Sequence, residues 1–488
     1  MSDCIRILKG FTRATIFVSE SSYALPYLQQ VTKKRLTDYE FDPNLKRMIA
    51  IKKFLRYDSS IQALHVPINA LDLITDTLEE WGFPYEIEDE PAYKPRDMSI
   101  KMKDTFVPRA HQVGAIEYLN SDEPHRKGLA IQTGSGKTVS ALAGMIAYGK
   151  VGLIGVSRLH QQWLRSIKDF TTATDDQIYV VQGYNSLVRA IEMEEKPEIF
   201  IFSLETLREY CRYSERYQDL PRFAKFCEYF GIGFKIFDEV HTNFHAITMI
   251  DLSCNIQNNV YLTATFTSNR FTTRRIFEMV YPSSMQFGRD AIVKYTKAFF
   301  YTHWGFVPIR ESKVSTRRGY SQVKYEKYIT SRPMLLKTYL DDIIQPVVYS
   351  HYINIKNPGE KMLILVSTLE MAHAIYKYLL EKFPGYKVVK YVGGIPDTVL
   401  VDYEMIVATE KSCGCGSDIK NLRTVINTIS TQSPTMTLQM FGRLRELPGI
   451  QTEYADICDS SIAAHVRHKE VRKQILSRVA KEIVEYRL

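Results

Sequence analysis

The stretch that decides the fold is LAIQTGSGKTVSALAGMI, residues 129–146. Its first three residues are apolar and predict a short buried strand, and the residues from Val139 onward have spacing compatible with a helix. The glycines between them let backbone N–H groups approach phosphate oxygens, and the helix N-terminus adds positive partial charge. The stretch therefore predicts an α/β unit whose turn binds a nucleoside triphosphate, although Ile131 stands where the full pattern has glycine.

The turn itself supplies the predicted nucleotide contacts. They are Thr133, Gly134, Ser135, Gly136, Lys137 and Thr138. Lys137 is expected to reach the β- and γ-phosphates, and the Thr138 hydroxyl is expected to ligate magnesium. A chance Gly/Ser turn is the alternative, but the strand before Gly-Lys-Thr and the helix after it favour the phosphate loop.

A second motif follows the apolar run Phe234–Phe237 and reads Asp-Glu-Val-His, residues 238–241. A carboxylate at the carboxyl end of a parallel strand points into the crevice where ligands bind. We therefore expect Asp238 to hold Mg²⁺ through water and Glu239 to be the general base for the attacking water. His241 is expected to link the nucleotide site to the rest of the protein. Together the two motifs predict hydrolysis of ATP with Mg²⁺ as cofactor.

With these motifs the chain resembles the superfamily 2 helicases of the DExH type, in which ATP hydrolysis drives movement along nucleic acid. Seven further segments follow the motif order of that family. They are residues 108–112, 154–163, 202–207, 262–265, 361–367, 406–419 and 439–445. Each segment is weak by itself, but their common order over this length favours the family strongly.

The resemblance implies a role for individual residues. Arg109 and Gln112 are expected to read the adenine, and Asp418 is expected to contact the nucleotide. Thr263-Ala264-Thr265 matches the motif that couples hydrolysis to domain movement. The residues expected to contact the nucleic-acid backbone are Ser157, Arg158, Ser203, Thr206, Ser367 and Thr409.

Two departures from the family pattern concern the arginine fingers and a cysteine pair. The family commonly places its second finger three residues after the first, but Glu446 stands at that position and Arg445 follows Arg443 by only two. Arg443 is therefore the expected finger, and Arg445 is the weaker candidate. Cys413-Gly414-Cys415 has neither Cys-x-x-Cys spacing nor a neighbouring histidine, so small residues in a tight loop are favoured over a metal site.

Composition agrees with a soluble nucleic-acid-binding enzyme. The 488 residues predict about three domains, and a net charge of +8 suits a polyanionic partner. Seven cysteines without framework spacing favour a reducing compartment. No apolar run approaches the roughly 20 residues of a membrane span, and the N-terminus lacks a signal-peptide pattern. We therefore expect a cytoplasmic monomer, in the host cytoplasm if the chain is phage-encoded.

The predicted architecture is α/β, with two RecA-like parallel-sheet domains in tandem and a small α+β N-terminal domain. Residues 1–104 are predicted to form an accessory nucleic-acid-binding domain that ends in a charged, proline-containing linker. Residues 105–290 are predicted to form the ATP-binding RecA-like domain, and residues 291–488 the second. The second contains no Gly-Lys-Thr, so it is not expected to bind a nucleotide in the same way.

This compact layout resembles the UvsW-type and RecG-type helicases, which remodel forks and Holliday junctions. The resemblance implies branched or forked DNA as partner, with other recombination or replication proteins as further candidates. Basic clusters at Lys52-Lys53 and Arg274-Arg275 are candidates for phosphate contact, and a solvated face over a small core is the alternative. A double-stranded DNA translocase, an RNA helicase and a non-enzymatic binding or annealing protein remain open.

Overall fold

The computed structural model places two compact units in sequence. The residues that the structure describes are 4–42, 47–131, 136–157, 160–213, 215–263, 266, 271–288, 294–303, 309–316, 319–393, 395, 397–413 and 419–488. Described residues up to Gly288 form the first unit, and those from Lys294 onward form the second.

The first unit begins with a mixed sheet. Its elements are β1 (Ile5–Lys9), β2 (Arg13–Phe17), α1 (Leu25–Arg35), β3 (Thr37–Asp42), β4 (Arg47–Lys53), β5 (Arg56–Asp58), β6 (Ala63–Pro67), α2 (Leu71–Glu80) and β7 (Tyr85–Asp89). Within the described residues five strands form one sheet in the order β5-β6-β2-β1-β7, and β3 pairs with β4 separately. Only the β1–β7 pair is parallel. The predicted combination of helices and a sheet in the N-terminal region is confirmed, and the sheet is mixed.

This N-terminal region shares a hydrophobic core with the RecA-like domain that follows. Phe54 stacks on Phe244 with ring centroids 4.7 Å apart. The Thr12 hydroxyl donates to the carbonyl of Asp251 at 2.8 Å, and the Arg13 guanidinium donates to the carbonyl of Leu252 at 2.7 Å. The two parts therefore belong to one compact unit, and the proposed boundary at residue 104 stays a prediction.

The segment predicted as a linker also packs against the RecA-like domain. The amide of Arg96 donates to the carbonyl of Gly231, and the amide of Met98 donates to the carbonyl of Gly149, both at 2.9 Å. The Tyr93 hydroxyl donates to the carbonyl of Ile232 at 2.6 Å. These bonds attach the segment to the surface of the RecA-like domain.

The first RecA-like domain is built on an all-parallel sheet. Its elements are α3 (Ala110–Asn120), β8 (Arg126–Leu129), α4 (Lys137–Tyr148), β9 (Gly152–Val156), α5 (His160–Phe170), β10 (Ile178–Val181), α6 (Tyr184–Glu192), β11 (Ile199–Ser203), α7 (Leu204–Arg212), α8 (Phe223–Phe230), β12 (Phe234–Phe237), α9 (Phe244–Asp251), β13 (Asn258–Leu262), α10 (Phe271–Val280) and β14 (Gln286–Phe287). The seven strands of the described part pair in the order β10-β11-β9-β12-β13-β8-β14. Their carboxyl ends consequently meet at one edge.

The strand before the phosphate loop corrects one prediction. We expected it at residues 129–131, but β8 spans Arg126–Leu129. The first two residues of the strand, Arg126 and Lys127, are charged, so the strand does not appear as an apolar run in the sequence. Lys127 is buried and donates to the carbonyl of Leu119 at 3.2 Å, while Arg126 donates to the carbonyl of Val280 at 2.8 Å.

The second unit contains another all-parallel sheet. Its elements are β15 (Thr296–His303), β16 (Ser315–Thr316), β17 (Gly319–Tyr320), α11 (Gln322–Thr330), α12 (Pro333–Thr338), α13 (Gln345–Val348), β18 (Lys361–Val366), α14 (Leu369–Lys382), β19 (Val388–Tyr391), β20 (Met405–Thr409), α15 (Glu410–Cys413), β21 (Leu422–Asn427), α16 (Pro434–Phe441), β22 (Thr452–Asp459), α17 (Ala463–Leu476) and β23 (Glu482–Arg487). Seven of the described strands pair in the order β19-β20-β18-β21-β22-β15-β23. Two RecA-like parallel sheets in tandem are therefore confirmed.

Within the described residues, no helix combines the length and the apolar character that a membrane crossing requires.

Candidate nucleotide and nucleic-acid site

The phosphate loop leads directly into helix α4. Gly136 precedes the helix with φ of 85° and ψ of 30°, a left-handed conformation that favours glycine. A side chain there would also collide with the amide of Gln112. Gln112 is buried, and its Oε1 accepts a hydrogen bond of 2.9 Å from the Arg109 amide. The structure thus brings the predicted adenine-reading segment against the end of the phosphate loop.

Several predicted loop contacts lie outside the described residues. They are Thr133, Gly134 and Ser135. Lys137 and Thr138 are described and begin helix α4. Lys137 is 8% exposed, and its Nζ donates no hydrogen bond to any described residue. A buried ammonium that lacks an acceptor among the described residues fits a site in which a ligand phosphate accepts its hydrogen bonds.

Asp238 follows β12 at the carboxyl edge of the sheet and is held by two donors. The indole Nε1 of Trp163 donates to its Oδ2 at 3.1 Å, and the amide of Glu239 donates to its Oδ1 at 2.9 Å. Trp163 is fully buried, and Asp238 is 7% exposed. The bond from Trp163 on helix α5 and the bond from the next backbone amide together fix the orientation of Asp238, the predicted magnesium ligand.

Glu239 links the lysine and the histidine. Its Oε1 lies 3.8 Å from Nζ of Lys137, and its Oε2 lies 3.3 Å from Nδ1 of His241. Glu239 itself adopts a left-handed backbone with φ of 51°, which is uncommon for a residue other than glycine. A hydrogen bond of 2.7 Å joins Nδ1 of His241 to Oγ1 of Thr263 at the end of β13. The structure therefore brings both motifs and the predicted coupling threonine to one place.

The electrostatics of this group favour a bound cation. Burial and the neighbouring Glu239 carboxylate together raise the pKa of Asp238 to about 6, and the Lys137 ammonium opposes both effects. Burial also lowers the pKa of His241, and the Lys137 charge adds to that effect. A divalent cation beside Asp238 would offset the penalty of keeping two adjacent carboxylates charged.

The donor set fits magnesium that is shared with a phosphate ligand. Asp238 and Thr138 offer oxygen ligands, as Mg²⁺ prefers. Across the described ranges, no three His, Cys, Asp or Glu side chains are grouped in a way that could hold a metal ion. Magnesium commonly takes one or two protein oxygens and completes its shell with phosphate and water.

Three predicted backbone contacts of the first domain lie at the same sheet edge. Ser157 follows β9 and is exposed. Ser203 ends β11, and its hydroxyl accepts from the Thr206 amide at 3.4 Å to cap helix α7. The Thr206 hydroxyl accepts from the amide of Gly183 at 2.7 Å. Ser203 and Thr206 are both at least nine-tenths buried, so their internal bonds hold the loop in shape. Arg158 falls outside the described residues, as do Ala264 and Thr265.

The second domain carries its predicted contacts at the carboxyl ends of β18 and β20. The Ser367 amide donates to Oε1 of Glu326 at 2.8 Å. The hydroxyl of Thr409 lies 2.7 Å from that of Ser412. Asp418 falls outside the described residues. Nucleic-acid contact by Ser367 and Thr409 stays a prediction.

The two candidate fingers follow helix α16. That helix ends at Phe441, so Arg443 and Arg445 lie in the turn after it. Arg443 is 9% exposed, whereas Arg445 is half-buried and donates to the carbonyl of Gly442 at 2.9 Å. The helical three-residue spacing of the family pattern does not apply beyond the helix end. The assignment of Arg443 as the arginine finger, with Arg445 as the weaker candidate, stays a prediction.

The structure brings together the two basic candidates of the first unit. Lys52 and Lys53 on β4 are exposed, as are Arg274 and Arg275 on α10. The hydroxyl of Thr273 donates to Oδ2 of Asp38 at 2.7 Å, which ties α10 to β3. The sequence placed these basic pairs in separate clusters because they are far apart along the chain.

Trp163 is the site residue that sequence reasoning missed. We placed residues 154–163 with the segments that touch nucleic acid, but the Trp163 side chain points inward to Asp238. A signal was present, because Trp163 and Ile167 are one turn apart on α5 and both are buried. That spacing predicts the core-facing side of an amphipathic helix.

Comparisons with known proteins agree with this fold. The family described as the res subunit of type III restriction enzymes matches residues 105–268. A structure of S. cerevisiae Dbp5 bound to RNA and ADP BeF3 has a TM-score of 0.50 at 14% identity and covers 78% of this chain and 90% of its own. A structure of Mss116p bound to single-stranded RNA and AMP-PNP has a TM-score of 0.50 at 14% identity and covers 78% and 74%.

The crystal structure of UvsW from phage T4 covers 99% of both chains at 14% identity, with a TM-score of 0.36. No curated protein sequence matches the chain. The predicted resemblance to superfamily 2 helicases is confirmed.

Proposed function

We propose that the chain is an ATP-dependent DNA helicase that remodels branched DNA. Residues 105–268 match the family described as the res subunit of type III restriction enzymes, and the fold is similar to that of superfamily 2 helicases. The observation that carries the enzymatic part is the group formed by Lys137, Asp238, Glu239 and His241. The ammonium of Lys137 is buried 3.8 Å from Oε1 of Glu239 and donates no hydrogen bond to a described residue. A triphosphate would supply the missing acceptors.

Each residue of the group has a proposed task in hydrolysis. Lys137 binds the β- and γ-phosphates, and Glu239 takes the proton of the attacking water. Asp238 and Thr138 would hold magnesium, which neutralises phosphate charge when it is bound. The Trp163 indole keeps Asp238 oriented for that task. Arg443 is the proposed finger that stabilises charge on the transferred phosphoryl group.

The coupling of hydrolysis to movement is proposed to run through His241. Its Nδ1 contacts both Oε2 of Glu239, at 3.3 Å, and Oγ1 of Thr263, at 2.7 Å. A change in the position of Glu239 after hydrolysis therefore reaches the carboxyl end of β13 through one side chain. Thr263 begins the segment that the resemblance assigns to coupling.

The choice of DNA rests on supporting observations. The net charge is +8, and exposed lysines and arginines concentrate where the N-terminal region meets the first RecA-like domain. The sequence layout resembles helicases of the UvsW and RecG types, which act on branched DNA. The proposed substrates are stalled forks and four-way junctions, and the proposed reactions are fork regression, branch migration and duplex unwinding in recombination, repair or replication.

ATPase stimulation across a panel of nucleic acids tests the proposal. The panel contains single-stranded, duplex, forked and four-way DNA, with RNA of matched length. We expect turnover to rise with DNA and to rise most with forked and four-way DNA. Stronger stimulation by RNA would identify an RNA helicase. An absence of turnover with every ligand would leave a non-enzymatic binding or annealing protein.

A strand-displacement assay separates a helicase from a double-stranded DNA translocase. Both enzymes hydrolyse ATP on duplex DNA, but only the helicase releases a labelled strand from a fork. We expect release that requires ATP and Mg²⁺. ATP turnover on duplex without strand release would support the translocase.

A further inference from the structure

A band of exposed cations crosses from the N-terminal region onto the first RecA-like domain. We call this band the basic surface. It consists of Lys52 and Lys53 on β4, Arg208 and Arg212 on α7, and Arg274 and Arg275 on α10. The side chains of Arg208 and Arg212 are 40% and 58% exposed.

One side of the basic surface is fixed by a buried bond between β3 and α10. The hydroxyl of Thr273 donates to Oδ2 of Asp38 at 2.7 Å, and both side chains are buried. Asp38 is paired with Lys52 across the β3–β4 ladder. Arg274 follows Thr273 directly, so the bond holds the two basic pairs on neighbouring elements.

The other side is fixed through helix α9. Nε2 of His245 forms a hydrogen bond of 2.9 Å with the carbonyl of Lys53, and the His245 ring meets the Phe54 ring edge-on at 5.1 Å. Helix α7 packs against α9 and brings Arg208 and Arg212 to the same place. Burial lowers the pKa of His245, and the cations Lys52, Arg212 and Arg208 lower it further. Lys52 of β4 and Arg208 and Arg212 of α7 are therefore close enough to act on one half-buried histidine, although they are far apart in the sequence.

Glu209 is the carboxylate of α7 that contacts both arginines, and Glu205 lies one turn earlier on the same helix. Oε1 of Glu209 lies 3.1 Å from both Arg208 and Arg212. The group of Arg208, Glu209 and Arg212 therefore carries one more positive than negative charge. Exposed ion pairs of this kind are weak, so a polyanion can compete for both arginines.

Phe54 and Tyr39, two aromatic residues near Lys52 and Lys53 whose side chains the structure describes, do not offer a platform for unpaired bases. Phe54 is fully buried against Phe244. Tyr39 is half-buried, and its hydroxyl donates to the carbonyl of Lys33 at 3.1 Å. Proteins that bind single strands stack bases on exposed aromatic rings, whereas duplex is held mainly through its phosphates. The exposed chemistry of this surface therefore fits duplex.

We propose that the basic surface binds the phosphate backbone of a duplex arm that adjoins the strand held by the motor. The proposal rests on the proposed function. Ser203, a predicted contact of the nucleic-acid backbone, caps helix α7, and α10 follows the coupling segment that Thr263 begins. An arm on this surface would lie beside the loops of the first RecA-like domain and would be held by residues that read no sequence.

Salt-dependent binding of duplex DNA and duplex RNA to the full chain tests the proposal. The variants are Lys52→Gln with Lys53→Gln, Arg208→Gln with Arg212→Gln, and Arg274→Gln with Arg275→Gln. Each pair should weaken duplex binding and reduce the slope of log affinity against log salt by about 2, since each phosphate contact contributes about 0.9. Equal effects on DNA and RNA duplex would indicate pure phosphate contact, and a larger effect on one would identify the preferred duplex.

The control is the pair Lys168→Gln with Lys225→Gln. These lysines are exposed on α5 and α8 and belong to no part of the basic surface. The same loss of charge should change the salt slope by much less than 1. Thermal unfolding of each variant identifies any loss that comes from misfolding.

Glu209→Gln gives a result of opposite sign. Removing the carboxylate frees Arg208 and Arg212 for phosphate, so duplex binding should tighten. A misfolded surface could not produce tighter binding. The proposal is overturned if the three basic pairs and the control pair change duplex binding alike, or if Glu209→Gln weakens it. If the wild type hydrolyses ATP but the variants bind duplex as the wild type does, only the role of the basic surface is wrong. If the variants weaken duplex binding but the wild type does not hydrolyse ATP, only the proposed function is wrong.

Discussion

Nε1 of Trp163 donates a hydrogen bond of 3.1 Å to Oδ2 of Asp238, and neither side chain is more than 7% exposed. The bond joins helix α5 to the carboxyl end of β12, so the predicted magnesium ligand depends on a residue from another motif segment. A hydrogen bond to a charged group contributes about 1.5–3 kcal/mol. Its loss should be visible in how the enzyme uses magnesium.

Trp163→Phe should raise the Mg²⁺ concentration for half-maximal ATP turnover about tenfold, the equivalent of roughly 1.4 kcal/mol. Phenylalanine keeps most of the buried volume and removes the donor. The measurements are turnover and Mn²⁺ binding in the presence of nucleotide, each as a function of metal concentration. Trp81→Phe is the control, because Trp81 is 52% exposed in the N-terminal region. An unchanged metal requirement in Trp163→Phe would show that the bond serves packing alone.

Lys137→Ala should abolish ATP hydrolysis, because the ammonium is expected to hold the phosphates. Glu239→Gln should bind ATP and turn it over about 10²–10⁴-fold more slowly, since it removes the proposed general base. Ser140→Ala is a control from the same helix. Its Oγ is buried and has no hydrogen-bond partner among the described residues, so turnover should persist. Turnover near the wild-type rate in Lys137→Ala or Glu239→Gln would contradict the assignment of the site.

Arg443→Ala should lower kcat by about a thousandfold with a small change in ATP affinity, because a finger acts mainly in the transition state. Arg443→Lys keeps the charge and should recover part of the rate. Arg445→Ala should do less, since Arg445 already donates to the carbonyl of Gly442. A steady-state comparison of kcat and KM for the three variants decides the order. A greater loss in Arg445→Ala would reverse the two arginines.

The sequence was sufficient where a feature is local. The strand at Phe234–Phe237 and the helix after the phosphate loop follow from apolar runs and turn residues that are adjacent in the chain. The start of β8 could not be predicted in that way, because Lys127 is buried by partners on another element. Strand β23, Glu482–Arg487, is half charged and lies at a sheet edge, so it carries no apolar pattern.

The site shows the same limit. Motif order predicted that Lys137, Asp238 and Glu239 would act together, and the structure places them at one sheet edge. The bond from Trp163 depends on how α5 packs, which no spacing in the sequence records. Helix α16 ends at Phe441, so Arg443 and Arg445 are not spaced along a helix. The family pattern predicts helical spacing at this position.

His65 predicts how stability depends on pH. The ring is 6% exposed, and its Nδ1 lies 3.0 Å from the Thr15 hydroxyl. Burial, together with the cations Arg13 and Arg56, lowers the pKa of His65 to about 3. The unfolded chain takes up the proton near pH 6.5, so the stability from a neutral His65 is complete above that pH and declines toward pH 3.

Between pH 6.5 and pH 5 this group should therefore cost the wild type about 2 kcal/mol, at about 1.4 kcal/mol per pH unit. His65→Gln cannot take up the proton and should lose less stability over the same range. Urea unfolding of both proteins at pH 7 and pH 5 measures the difference. Equal losses in the two proteins would mean that His65 takes up its proton over the same pH range in the folded and the unfolded state.

Phe54→Ala should destabilise the whole first unit by about 3–5 kcal/mol, as expected when a fully buried phenylalanine is removed. Phe54 lies in the N-terminal region, but its ring stacks on Phe244 of the first RecA-like domain at 4.7 Å. The cavity would therefore open in the core that both parts share. Tyr23→Ala is the control, because that ring is 87% exposed and its loss should change stability little. Chemical unfolding followed by fluorescence and circular dichroism should give coincident transitions that shift together in the variant. If instead only an early transition shifts and a later one stays at the wild-type midpoint, the N-terminal region unfolds separately, and the predicted boundary near residue 104 gains direct support.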